Sequence, residues 1–146
     1  MPVLNIQLRV PPPSCGLSAV HCQPGVPLTR DEFNEVVAEV LDSLPDEFRS
    51  RIRNVAVLVE DLPAVERRRR SDQRPTQLLL GQFIGVPATQ RSVFNLPTGP
   101  DYIVLYQTNI ESICATQQEL RRQIRLTLMH ELGHYFGMSE EQLRDV

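Results

Sequence analysis

The stretch that most limits what this chain can fold into lies near its end, from Thr116 to Gly137, where Leu120, Ile124, Leu128 and Leu132 recur at every fourth position. That period belongs to a helix with one apolar stripe, and such a stripe needs a sheet or a second helix to cover it. The same helix carries Met129-His130-Glu131-Leu132-Gly133-His134-Tyr135-Phe136-Gly137, which contains the pattern H-E-x-x-H. Imidazoles four residues apart stand one turn apart on one face, so both can reach a single ion. Zinc takes neutral imidazole nitrogen at about 2.0–2.1 Å, and a site with three protein ligands leaves the fourth position to water. Glu131, beside the first histidine, is placed to take a proton from that water. The chain has three histidines and two are in this motif, so the plain alternative, two histidines on an ordinary helix face, is the weaker reading. Gly137, three residues after His134, fits a helix end where left-handed backbone swings the chain back.

A length of 146 residues suits one domain with a real core and no need of staples. The net charge of −3 argues against a general nucleic-acid binder. No run of 18 apolar residues is present, and the N-terminus lacks a basic region followed by an apolar core and a small-residue cleavage site. The expectation is a soluble, cytoplasmic protein with no membrane partner. The cysteines are Cys15, Cys22 and Cys114, an odd count unlike a disulfide framework. Cys15, His21 and Cys22 match no zinc spacing, so free thiols are the simpler reading.

Residues 1–28 are rich in proline and read as a flexible extension, with Leu4, Ile6, Leu8 and Val10 alternating as an edge strand would. Thr29-Arg30-Asp31-Glu32 has the spacing of a capping box. Phe33, Val36, Val37, Val40, Leu41 and Leu44 then recur at helical spacing until Pro45. A short helical turn is expected within 45–53, and Val55-Ala56-Val57-Leu58-Val59 reads as a buried strand. Arg67-Arg68-Arg69-Arg70 repel one another and suit a solvated loop over 64–76; no aromatic residues stand nearby to stack on bases, which speaks against nucleic acid. Leu78 to Pro87 reads as a strand whose glycines, Gly81 and Gly85, mark a bulge or a close backbone approach. Tyr102-Ile103-Val104-Leu105-Tyr106 gives another strand, and Tyr102 or Tyr106 is a candidate to stabilise an oxyanion.

The run from His130 to Glu141, H-E-L-G-H-Y-F-G-M-S-E-E, together with Leu120–Met129 before it and Leu78–Pro87 upstream, resembles the small bacterial zinc-dependent metallopeptidases with a minimal zincin fold. The resemblance runs from about Thr29 to the C-terminus, setting a domain at 29–146. It implies zinc as cofactor and a peptide or protein as substrate. It also implies a strand at the rim of the cleft, here Tyr102 to Gln107, whose free backbone groups pair with the substrate. In zincins of the pattern H-E-x-x-H-x-x-G-x-x-H/D the last residue is the third ligand, and that position here is Glu140. Glutamate is a departure from His or Asp, but it offers the same carboxylate oxygen with one more methylene of reach. Twelve residues follow His134, too few for a ligand-bearing second helix downstream. The tail (Glu140, Glu141, Asp145) or an upstream carboxylate such as Asp101 or Glu111 must serve, with Glu140 preferred. Six residues beyond Glu140 cannot hold a Met-turn, so Met138 is read as a packing residue.

The expected fold is a single α+β domain, minimal zincin-like, with a small mixed sheet of three or four strands, an N-terminal helix and the long H-E-x-x-H helix on one face. The expected metal ligands are His130, His134 and Glu140, with Glu131 as general base of peptide-bond hydrolysis. The alternatives are a zincin-shaped binding or regulatory module without activity, and an arginine-mediated nucleic-acid or protein binder.

Overall fold

The computed structural model describes residues 4–10, 27–52, 55–67, 77–90 and 101–143. In chain order these form strand β1 (Leu4–Val10), helices α1 (Arg30–Asp42) and α2 (Asp46–Arg51), strand β2 (Val55–Glu60), helical turn α3 (Ala64–Arg67), and strand β3 (Leu78–Gly85). A short 3-10 turn (Ala88–Gln90), strand β4 (Asp101–Tyr106), helices α4 (Gln107–Ser112) and α5 (Gln117–Tyr135) and a last helical turn α6 (Glu140–Leu143) follow. The architecture is α+β, as the sequence predicts: one mixed sheet with the two longest helices on one face.

Both long helices start where their sequences place a reciprocal cap. Thr29 accepts a hydrogen bond from the Glu32 amide at 3.3 Å while the Glu32 carboxylate accepts from the Thr29 amide at 2.8 Å. The charge-assisted bond holds the Glu32 carboxyl below its usual range. Thr116 and Glu119 repeat the arrangement at α5. Helix α1 buries Phe33, Val36, Val37 and Val40. Helix α5 buries Leu120, Ile124, Leu128 and Leu132, each at most 1% exposed, into the same core as Phe83, Ile103 and Leu105 of the sheet. Four-residue spacing thus becomes one continuous apolar seam between α5 and the sheet.

The sheet order is β1-β3-β4-β2. Strands β1 and β4 run antiparallel to β3, and β2 runs parallel to β4. Leu4–Val10 is therefore an edge strand of this sheet, so the sheet draws on the segment before residue 28; residues 11–26 lie outside the described residues. Between Leu8 and Arg9 the β1–β3 register shifts by one, which skips Leu80 and lets it join Leu78 and Phe83 in the main core.

Two expectations about strands are corrected. The sequence predicts β2 as buried, yet it is the opposite edge strand: it pairs only with β4, and all six of its residues are at least partly exposed, Leu58 by 44%. The resemblance places β4 at the rim of a cleft with free backbone groups, yet it lies inside the sheet with β3 on one side and β2 on the other. Of the arginine run only Arg67 is described, ending α3 with its guanidinium 3.8 Å from Glu60.

Candidate metal centre

α5 packs over β3 and also touches β1 and β4. At about 100° per residue, His130 and His134 fall within about 40° of each other on one flank of α5, and Arg121 and Arg125 fall about 180° away on the other. Those arginines reach α1: Arg121 pairs with Glu39 at 3.1 Å and Arg125 donates to the Ser43 carbonyl at 3.3 Å. α1 in turn is tied to the β2 side of the sheet by the ion pair of Arg30 with Asp61. The histidine flank consequently faces away from α1, toward the β1 edge.

The two imidazole rings stand with centroids 4.6 Å apart and planes at 81°. His134 is 3% exposed, His130 is half-buried, and Glu131 between them is fully buried. The pair is thus held on a rigid helix backed by core, with one ring open to the surface. Beneath it, Glu131 lies against β3 where Gly81 has no side chain; a Cβ there would stand 3.4 Å from Glu131 Cγ. Two imidazoles on one flank are donor chemistry that zinc accepts, and Glu131 sits beside them in a cradle that a Cβ would narrow.

The helix ends as its glycine predicts. Gly137 has φ +79°, its amide donates to the His134 carbonyl and the Met138 amide to the Gly133 carbonyl, both at 2.9 Å. This is a Schellman turn, and it aims the chain back directly after the second histidine. Ser139 then caps α6, exchanging hydrogen bonds with Gln142, and Glu140 is the first residue of that turn. A Cβ at Gly137 would stand 2.5 Å from Thr89 Oγ1, besides adopting left-handed backbone. Gly137→Ala is expected to destabilise the fold by about 1–2 kcal/mol from the backbone alone. A lowered urea midpoint checks it; an unchanged one contradicts the role of the turn.

Among the described residues, no group of three or more His, Cys, Asp and Glu gathers at metal-binding distance. Neither Asp101 nor Glu111 therefore completes such a group with the two histidines. Asp101 is buried and its Oδ1 accepts from the Val86 amide at 3.1 Å, and Glu111 Oε1 accepts from the Leu28 amide at 3.1 Å and from Gln107 Nε2 at 2.9 Å. The side chain of Glu140 and all of Asp145 lie outside the described residues. Cys114 is buried, and burial first, then the charges of Glu119 and Glu111, pushes its thiol up to about 11. Cys15, His21 and Cys22 are outside the described residues.

The oxyanion candidates are corrected. Ile103 and Leu105 of β4 point into the core with α5, so Tyr102, Val104 and Tyr106 face the other side of the sheet. There the Tyr106 hydroxyl donates to Gln82 Oε1 at 2.8 Å. Burial first, then the charge of Glu60, raises its pKa and keeps it protonated. Sequence reasoning marks Gly81 as a close approach but does not identify Thr127, whose Cγ2 would stand 2.6 Å from a Cβ at that glycine. A strand glycine is the only signal of it.

The described structure is thus a histidine pair on one flank of a long helix, with a buried carboxylate next to it in sequence, set on a small mixed sheet. The chain belongs to the zincin-like metallopeptidase family, whose sequence profile matches residues 52–146. A conserved hypothetical protein from Thermus thermophilus is similar in structure, with 22% identity and a TM-score of 0.47 over 75% of this chain and 94% of that one. No curated protein matches the sequence. No described helix is long and apolar enough to cross a membrane.

Proposed function

We propose that the chain is a zinc-dependent peptide-bond hydrolase in which His130, His134 and Glu140 hold the metal and Glu131 is the general base. The observation that carries this reading is the burial of Glu131 on the helix turn between two imidazoles 4.6 Å apart. Zinc, when bound, supplies Lewis acidity, lowering the pKa of a water from about 15.7 to near 7 and polarising the scissile carbonyl. The Glu131 carboxylate takes a proton from the attacking water and delivers it to the leaving amine nitrogen. Its surroundings exclude bulk solvent, which strengthens its interaction with that proton. Glu140, three residues beyond Gly137 and the first residue of α6, occupies the position that the zincin pattern gives to the third ligand. With β4 inside the sheet, the strand that presents a backbone edge on the histidine side is β1, and an extended peptide pairs there.

Digestion of a defined peptide mixture by the zinc-loaded chain, beside its Glu131→Gln variant, tests the proposal. Cleavage by the first and none by the second supports it. Equal cleavage by both removes Glu131 as base. The competing reading, a zincin-shaped module without turnover, draws on the lack of a third ligand beside the histidine pair among the described residues; zinc binding without cleavage of any peptide or partner protein would establish it.

A further inference from the structure

The space beneath Glu131 is set by a residue with no side chain. A Cβ at Gly81 would stand 2.6 Å from Thr127 Cγ2, 3.4 Å from Glu131 Cγ and 3.5 Å from Glu131 Oε1. Gly81 has no left-handed backbone, so its conformation is open to any residue; the approach of α5 is what demands glycine. Thr127 cannot yield easily. It is fully buried, branched at Cβ, and its hydroxyl donates to the Gln123 carbonyl at 2.8 Å, which leaves its methyl toward β3. Gln123 Nε2 lies 3.4 Å from the same hydroxyl.

We infer that Gly81 and Thr127 are positioning residues for Glu131, fixing the height of its carboxylate above the sheet through the fit of one methyl group into one missing side chain. The inference rests on the proposed role of Glu131 as base. Proton transfer is sensitive to placement: an error of about 1 Å in a reacting group costs about a hundredfold in rate. The three atoms nearest a Cβ at Gly81 belong to Thr127 and Glu131 and none to a histidine, so zinc binding depends less on this fit than proton transfer does.

The test uses the full chain with Gly81→Ala, Thr127→Ser and the double variant, measuring kcat and KM on a cleaved peptide and zinc affinity by chelator competition. Gly81→Ala is expected to lower kcat by about a hundredfold, with KM and the zinc Kd within about threefold of the parent. Thr127→Ser removes the Cγ2 methyl and keeps the hydroxyl. In the double variant the new Cβ then meets Glu131 Cγ at 3.4 Å, an ordinary contact, so kcat should recover to within about tenfold of the parent. A Gly81→Ala protein with parental kcat overturns the inference, as does a double variant that stays as slow as the single one. Loss of zinc affinity in step with kcat also overturns it, because the residue would then support the fold alone. If Gly81→Ala does not fold, the double variant must still fold and turn over, and its failure to do either overturns the inference. Glu131→Gln separates the two levels of the argument. If it is inactive while Gly81→Ala is unaffected, only the positioning role falls; if it retains parental kcat, the base role falls and the positioning role with it.

Discussion

Glu131→Gln is expected to lower kcat by about 10²–10⁴-fold, the range that a positioned general base contributes. The substitution is nearly isosteric, so the contacts over Gly81 and Thr127 survive, but the amide cannot take a proton. Zinc affinity should stay within a few fold, because the histidines and their helix are untouched. Stability is expected to hold or rise, since a fully buried carboxylate is costly to keep charged and an amide is less so. A variant with parental kcat contradicts the base role directly. A variant that loses zinc and activity together shows that Glu131 serves the metal site instead.

The second large effect concerns the histidines. Zinc that binds the folded chain and not the unfolded one stabilises it by about 4.1 kcal/mol at a thousand times its Kd, which for a domain of this size raises Tm by about 10 °C. His130→Ala and His134→Ala are each expected to abolish that zinc-dependent rise. They should differ without metal. His134 is 3% exposed and its truncation opens a void at the end of α5, so the zinc-free His134→Ala protein melts well below the parent. His130 is half-buried and its truncation costs less. Scanning calorimetry with and without zinc reads both effects. A full zinc-dependent rise in either variant places the metal elsewhere.

Much of the fold was legible because its signals are local. The capping boxes at Thr29 and Thr116 need only a hydroxyl and a carboxylate three residues apart, and each is closed in the structure. The seam of Leu120, Ile124, Leu128 and Leu132 follows from helical period, and Gly137 marks its own turn. What failed was strand order and facing. Val55–Val59 and Tyr102–Tyr106 are apolar at nearly every position, so neither alternation nor length says which strand is central and which side faces α5. Long-range pairing decides that β2 is the edge and β4 the interior, and it turns Tyr102 and Tyr106 away from the histidines. The same pairing brings Leu4–Val10 to β3 as the edge strand that the alternation of Leu4, Ile6, Leu8 and Val10 offered beside the reading of residues 1–28 as a flexible extension. At the site, the histidine pair and its carboxylate were legible as a motif. The fit of Thr127 against Gly81 was not, because a glycine announces that something comes close without saying what.

X-ray absorption at the zinc edge of the protein purified with one equivalent of zinc tests the central claim most directly. The account predicts a shell of nitrogen and oxygen at about 2.0–2.1 Å with the outer-shell scattering of two imidazoles and no sulfur. That imidazole signal should drop to one ring in His130→Ala. Zinc absent after purification and reloading, or a sulfur shell near about 2.3 Å, contradicts it.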